Sequence, residues 1–185
     1  LRSTFNRLLM TNVRDEFTSS LYEFKNPSIT VCPSLYILDR MRKSMYKNYT
    51  LYSHHDELVN EIEFEAIKTK IAEFDKAYKF TNNIQSVQTC FFQILNLYNN
   101  SRLIVTSRLH GAIIAYGFKI PYIALARDIK IREFHRLYGN GLLIEGINEL
   151  PEMLNNRKII SLKEIKIKPV TDFGEKVKSI TRSLT

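Results

Sequence analysis

Apolar and polar positions follow two rhythms along this chain. Short apolar runs stop at Pro, Asn, Asp or Ser, and between them lie longer stretches in which apolar residues return every three or four positions. The first rhythm predicts buried strands and the second amphipathic helices. Asn12 to Asp15 ends a first strand, Glu16 to Phe24 reads as a helix, and Ile29 to Cys32 is a short strand stopped by Pro33. Leu35 to Tyr46 predicts a linking helix and Asn48 to Ser53 the next strand. From Asp56 to about Asp75, Leu58, Ile62, Ala66 and Ile67 recur at helical spacing, with Asp56 placed to cap that helix. Ala77 to Phe80 predicts a strand, Val87 to Tyr98 a helix, and Ile129 to Leu137 a basic helix. A strand at Leu142 to Ile144, a helix near Asn148 to Leu154 and a terminal amphipathic helix from Asp172 to Leu184 complete the pattern. Strand and helix alternate in the manner of an α/β fold with a parallel sheet flanked by helices.

The block from Leu103 to Leu125 carries the most chemistry. An apolar strand, Leu103-Ile104-Val105, runs through Thr106-Ser107-Arg108-Leu109-His110-Gly111 into an apolar helix, and Pro121 opens a second apolar strand, Tyr122 to Leu125. In a parallel sheet, ligands bind outside the carboxyl ends of the strands, which is where Arg108 and His110 fall. The strand-to-helix turn also presents backbone N–H groups to an anion. Arg108 offers a rigid donor fork for a carboxylate or phosphate. Its plain alternative is a surface ion pair, and in apolar surroundings an anion or a buried acid is expected beside it. Thr106 and Ser107 offer hydroxyls, and Gly111 lets a backbone approach a ligand closely. Lys130 and Arg132, on the next strand-to-helix connection, read either as phosphate neutralisers or as solvated charges.

This block closely resembles the signature of the polysaccharide pyruvyltransferase family, and the likeness extends through Lys130-Ile131-Arg132-Glu133-Phe134 and back to Val13-Arg14-Asp15 with Ser19 downstream. The resemblance implies an enzyme of cell-surface carbohydrate synthesis that moves pyruvyl from phosphoenolpyruvate to a sugar or a lipid-linked oligosaccharide as a ketal, with no further cofactor. It implies one half of a glycosyltransferase-B-like arrangement of two Rossmann-like halves. On that basis residues 1–46 are expected to be the tail of a first Rossmann-like half with a linking helix, and residues 47–185 a second Rossmann-like domain. The chain then reads as a fragment that lacks most of its first half. His110, whose ordinary pKa suits proton transfer near neutrality, is the expected catalytic group beside Arg108. Arg14 is the matching basic residue from the first half, placed either to close on the same anion or to pair locally with Asp15 or Glu16. The family's Pro-Asp is replaced by Val31-Cys32-Pro33-Ser34, so an acidic group is missing where the resemblance expects one.

Composition narrows the field. The 185 residues, 44% hydrophobic and 25% charged, suffice for a sizeable core but not for two full Rossmann-like domains. The net charge of +8 suggests anionic partners. Residues 156–185 hold eight Lys or Arg against three Asp or Glu, but these are interleaved with Ile159, Ile160, Leu162, Ile165 and Ile167. That reads as the solvated face of a packed element, not as a nucleic-acid surface. Cys32 and Cys90 form no metal or disulfide pattern, which fits a reducing compartment. No run approaches the roughly 18 apolar residues of a membrane span. The expected location is the cytoplasm, at the inner face of the membrane if lipid-linked acceptors are used. Within His54-His55-Asp56, adjacent residues at a strand end point in opposite directions, so no metal site is expected there. Two rival readings stay open. One is a nucleotide-sugar glycosyltransferase, with Glu145 holding ribose hydroxyls; the other is a non-catalytic module that binds carbohydrate or a partner.

Overall fold

A computed structural model describes residues 12–13, 16–22, 27–30, 32–42, 48–84, 90–138, 141–156 and 168–183. In chain order the elements are β1 (Asn12–Val13), α1 (Glu16–Tyr22), β2 (Ser28–Ile29), α2 (Ser34–Met41), β3 (Tyr49–Ser53) and α3 (Glu61–Phe74). They continue with β4 (Lys79–Thr81), α4 (Phe91–Asn99), β5 (Ser101–Thr106), α5 (Leu109–Gly117), β6 (Tyr122–Leu125) and α6 (Ile129–Tyr138). The last are β7 (Leu142–Ile144), a 3-10 turn (Ile147–Glu149), α7 (Leu150–Asn155) and α8 (Lys168–Ser183). The chain divides into two compact units, residues 1–37 with 166–185 and residues 38–165.

In the first unit β1 and β2 pair in parallel, Asn12 opposite Ser28 and Val13 opposite Ile29, with α1 as the crossover. Thr30 ties them further, donating its N–H to Val13 O at 3.0 Å and its hydroxyl to Asn12 Oδ1 at 2.8 Å. Helix α8 belongs to this unit and reaches four residues further toward the N-terminus than the sequence pattern predicts, to Lys168.

The second unit is Rossmann-like. Among the described residues its five strands form one parallel sheet in the order β4-β3-β5-β6-β7, flanked by helices. The inner strands β3 and β6 are buried along their whole length, as sheets covered on both faces require, whereas edge strand β4 exposes Lys79 and Phe80. On one face Tyr52, Leu103, Val105, Ile123, Leu125 and Ile144 pack against Ile67 and Ile71 of α3 and Leu150 and Leu154 of α7. On the other, Ser53 and Thr106 lie under α5 and α4. From β3 the chain crosses outward through α3 to β4, then returns through α4 to β5. The strand order therefore reverses between β3 and β5, the switch point at which open parallel sheets form a ligand-binding crevice beyond the carboxyl ends of their strands.

Helix α3 departs from its predicted start. Asn60, not Asp56, caps it, its side chain accepting from Glu63 N at 2.9 Å, while Leu58 and Val59 both donate to His55 O in a turn ahead of the helix. The predicted apolar face shifts accordingly: Ile62 is 85% exposed, and Ile67 and Ile71 carry the buried stripe. Helix α4 begins at Phe91, where the Gln93 side chain accepts from Cys90 N at 2.8 Å; residues 87–89 of the predicted helix lie outside the described ones. The central strand is longer than its apolar run, because Ser101 and Thr106 hydrogen-bond within the core and so are buried without penalty.

The amino end of the sheet is closed by Asp75. Its carboxylate accepts from Thr50 N at 2.7 Å, Thr50 Oγ1 at 2.6 Å and Ala77 N at 3.0 Å, and pairs with Arg102 Nη2 at 2.5 Å. Burial alone would raise its pKa; the bonds from Thr50, Arg102 and Ala77 outweigh burial and hold it below the ordinary carboxylate value. A depressed carboxylate pKa contributes stability that is complete above the unfolded-state value and is lost as pH falls through the folded-state one. Asp75→Ala is expected to lower stability by about 2–4 kcal/mol and to flatten the acid limb of the stability–pH curve below about pH 4, measured by chemical denaturation across pH.

Candidate functional site

The crevice between β3 and β5 is built by hydroxyl groups that the strands bring to one level. Thr106 Oγ1 lies 3.0 Å from Ser53 O, to which it donates, and accepts from Arg108 N at 3.0 Å. Ser107 N donates to Ser53 O at 3.1 Å, and Ser107 Oγ accepts from His55 N at 2.9 Å. Both residues are fully buried, so their hydroxyls join the ends of β3 and β5 and set the path of the loop. Gly111 completes the junction. A Cβ there would collide with Thr106 Oγ1 and lie 2.9 Å from Ser53 Oγ, so only glycine lets α5 start this close to the sheet.

The loop carries Arg108 to the switch point, where its side chain reaches the end of β3. It is the N-cap residue of α5, half-buried, and its Nε donates to His54 O at 2.6 Å. No carboxylate among the described residues pairs with it, so the other guanidinium donors remain available to a ligand. The first bond within α5 runs from Ala112 N to Arg108 O at 3.2 Å, which leaves the positive end of the helix dipole beside the guanidinium. His110, second residue of α5, is exposed at the same helix start.

His54 leaves β3 on the opposite wall. Its Nε2 lies 2.7 Å from Asp56 Oδ1, and its ring packs 4.6 Å from Phe64 and 5.8 Å from Tyr52, centroid to centroid. Burial lowers its pKa; Asp56 pulls the other way and Arg108 adds to the lowering, so His54 is neutral at pH 7 and donates Nε2–H to Asp56. Nδ1 is then buried with no partner among the described residues. Nearby, the Tyr98 hydroxyl sits 2.6 Å from Ser53 Oγ and 2.8 Å from Asn83 Oδ1. Its pKa is pushed up to about 12 by burial, so it stays protonated and bridges β3 to the loop after β4. Asn83 takes a left-handed φ of 58° there, a conformation Asn tolerates. Among the described residues, no three His, Cys, Asp or Glu gather as a metal site.

The sequence profile of the polysaccharide pyruvyl transferase family matches residues 1–129. The chain belongs to this family. No curated protein matches it. The family match ends on the first residue of α6 and so takes in the whole junction of β3, β5 and α5.

Outside that junction the expected site residues of this pyruvyl transferase family member fare differently. Arg132 spends its fork on both oxygens of Glu145, one contact at 2.5 Å, and on Ala126 O at 3.0 Å. Lys130 is exposed on the first turn of α6. Glu145, the carboxylate a nucleotide-sugar reading needs for ribose, is thereby committed to Arg132. Arg14 lies outside the described residues. Two features escape the sequence pattern. One is the His54–Asp56 pair. The other is Arg127, whose Nη2 pairs with Glu63 and whose Nε is buried without a partner among the described residues. Arg127 stands two residues beyond the end of β6, as Arg108 stands two beyond β5, and that shared offset was its only trace in the sequence. Among the described residues no helix is long and apolar enough to cross a membrane.

Gly111→Ala is expected to cost about 1–3 kcal/mol, because Thr106 must give way, and to displace Arg108 with it. Thermal melting reads the first effect and anion titration the second.

Proposed function

We propose that this chain carries the donor site for transfer of a pyruvyl group from phosphoenolpyruvate to a sugar, which closes as a cyclic ketal. The observation that carries the reading is the half-buried Arg108 at the switch point, held at Nε by His54 O, with no carboxylate partner among the described residues and the start of α5 beside it. Membership of the pyruvyl transferase family supports the transferred group; the anion chemistry of the crevice supports the donor.

Phosphoenolpyruvate bears a carboxylate and a phosphate on the carbon to be attacked. A planar guanidinium suits either, and the helix start disperses the remaining negative charge. Ketal formation needs a proton added to the methylene carbon, which leaves the adjacent carbon open to a sugar hydroxyl. That hydroxyl gives up its proton as its C–O bond forms. Phosphate then departs with the C–O bonding pair as a second hydroxyl adds and loses its proton. His110, exposed beside the proposed anion, is the group assigned to proton delivery and return in this half. Thr106, Ser107 and Gly111 fix the turn from which these two side chains extend and are positioning residues. Lys130 adds positive charge near the same edge. The acceptor is a sugar of a surface polysaccharide or of its lipid-linked precursor, and the proposed place of action is the cytoplasmic face of the membrane.

Calorimetric titration with phosphoenolpyruvate tests the donor. The full chain is expected to bind it, and Arg108→Ala to weaken binding by about 10- to 100-fold, the worth of a charged hydrogen-bond pair. Arg108→Lys is expected to fall between them, since an ammonium keeps the charge but loses the fork. Equal affinity of wild type and Arg108→Ala would refute the assignment, and tighter binding of a uridine-diphosphate sugar would replace it with glycosyl transfer.

A further inference from the structure

The wall of the crevice opposite Arg108 carries a different chemistry. Edge strand β4 ends beside β3, where His54 N donates to Thr81 O at 3.0 Å, and three side chains gather at that exit. Phe80 is 54% exposed. Phe64 meets its ring edge-on at 5.8 Å and the His54 ring is tilted against it at 6.5 Å, while the Lys68 ammonium lies over the ring at 6.0 Å. Asp56, with its side chain 45% exposed, is aligned from two sides, His54 Nε2 at 2.7 Å on Oδ1 and Asn82 Nδ2 at 3.3 Å on Oδ2. Each carboxylate oxygen therefore keeps a lone pair, and the Asn82 amide a second proton, for a ligand. Asn82 is itself fixed, its Oδ1 accepting from Ile84 N at 3.1 Å.

A large aromatic ring left exposed on a sheet edge costs solvation, and a carboxylate aligned by two donors without a cation beside it is not a surface ion pair. The combination matches a pyranose. Its C–H face packs on an aromatic ring, and its vicinal hydroxyls donate together to a carboxylate and accept from an amide. Asp56 disfavours a phosphorylated ligand on this wall, so the crevice is divided into an anion-binding side at Arg108 and a neutral, polyol-binding side at Phe80.

We propose that Phe80, Asp56 and Asn82 form the subsite for the acceptor sugar, with His54 as a positioning residue that holds Asp56. The proposal rests on the pyruvyl-transfer reading for the word acceptor, but not for the sugar. The test is saturation-transfer NMR of the full chain with methyl β-D-glucopyranoside, galactopyranoside and mannopyranoside, run alongside calorimetry with phosphoenolpyruvate. At least one glycoside is expected to receive saturation mainly on the C–H protons of one ring face. Phe80→Ala and Asp56→Asn are each expected to weaken it by about tenfold or more while leaving phosphoenolpyruvate affinity unchanged. Arg108→Ala is expected to do the reverse. A chain that binds phosphoenolpyruvate but no glycoside, or one whose glycoside signal survives both Phe80→Ala and Asp56→Asn, overturns the subsite. Glycoside binding that depends on Phe80, in a chain that ignores phosphoenolpyruvate, upholds the subsite and refutes the donor assignment instead.

Discussion

The contact between Gly111 and the side chains of Thr106 and Ser53 is the constraint from which the crevice follows. A helix that begins directly over the end of its preceding strand has room there for only one side chain, and here Thr106 fills it. The Thr106 hydroxyl then has three backbone neighbours at 3.0 Å, Ser53 O, Arg108 N and Arg108 O, and so ties the end of β3 to the turn that leads into α5. With the turn held, the Arg108 Nε donates to His54 O at 2.6 Å. The guanidinium is thus fastened at one nitrogen. A long, flexible side chain is immobilised before any ligand arrives, which reduces the ordering entropy that binding must overcome.

Preorganisation extends to the opposite wall by the same means. His54 gives its carbonyl to Arg108 and its ring proton to Asp56, so one residue at the end of β3 fixes a cation on one side and a carboxylate on the other. Burial keeps the imidazole neutral, which makes that proton available without adding a charge between the two. Tyr98 holds the next loop through Ser53 and Asn83, and the loop presents Asn82 to Asp56. The pyruvyl transfer proposed above needs an anionic donor and a polyol acceptor kept apart in recognition yet adjacent in space. A switch point between two parallel strands offers two such walls.

Much of this was legible in the order of residues. The alternation of strand and helix foretold the parallel sheet, and the run through Arg108 to Gly111 pointed to both the family and the crevice. The hydrogen bonding was not legible. Thr106 and Ser107 looked like ligand hydroxyls because a sequence shows a polar group but not its partner, and only the register of β3 against β5 reveals Ser53 O and His55 N waiting for them. Ile62 matches the helical spacing yet lies 85% exposed, because it falls in the first turn after the Asn60 cap, and Ile67 and Ile71 further along carry the buried face. Arg127 hid behind a strand that ends two residues earlier, and its partner Glu63 is far away in sequence. The sequence offers Asp56 a local role as a helix cap, whereas its partners His54 and Asn82 come from the exits of two different strands.

The central claim is that Arg108 and the start of α5 receive the donor's negative charge. A crystal structure of the full chain with saturating phosphoenolpyruvate tests it most directly. The account predicts the carboxylate or phosphate within hydrogen-bond distance of the Arg108 guanidinium and the first-turn amides of α5. Phosphoenolpyruvate bound elsewhere in the crystal, with this crevice vacant, would contradict it.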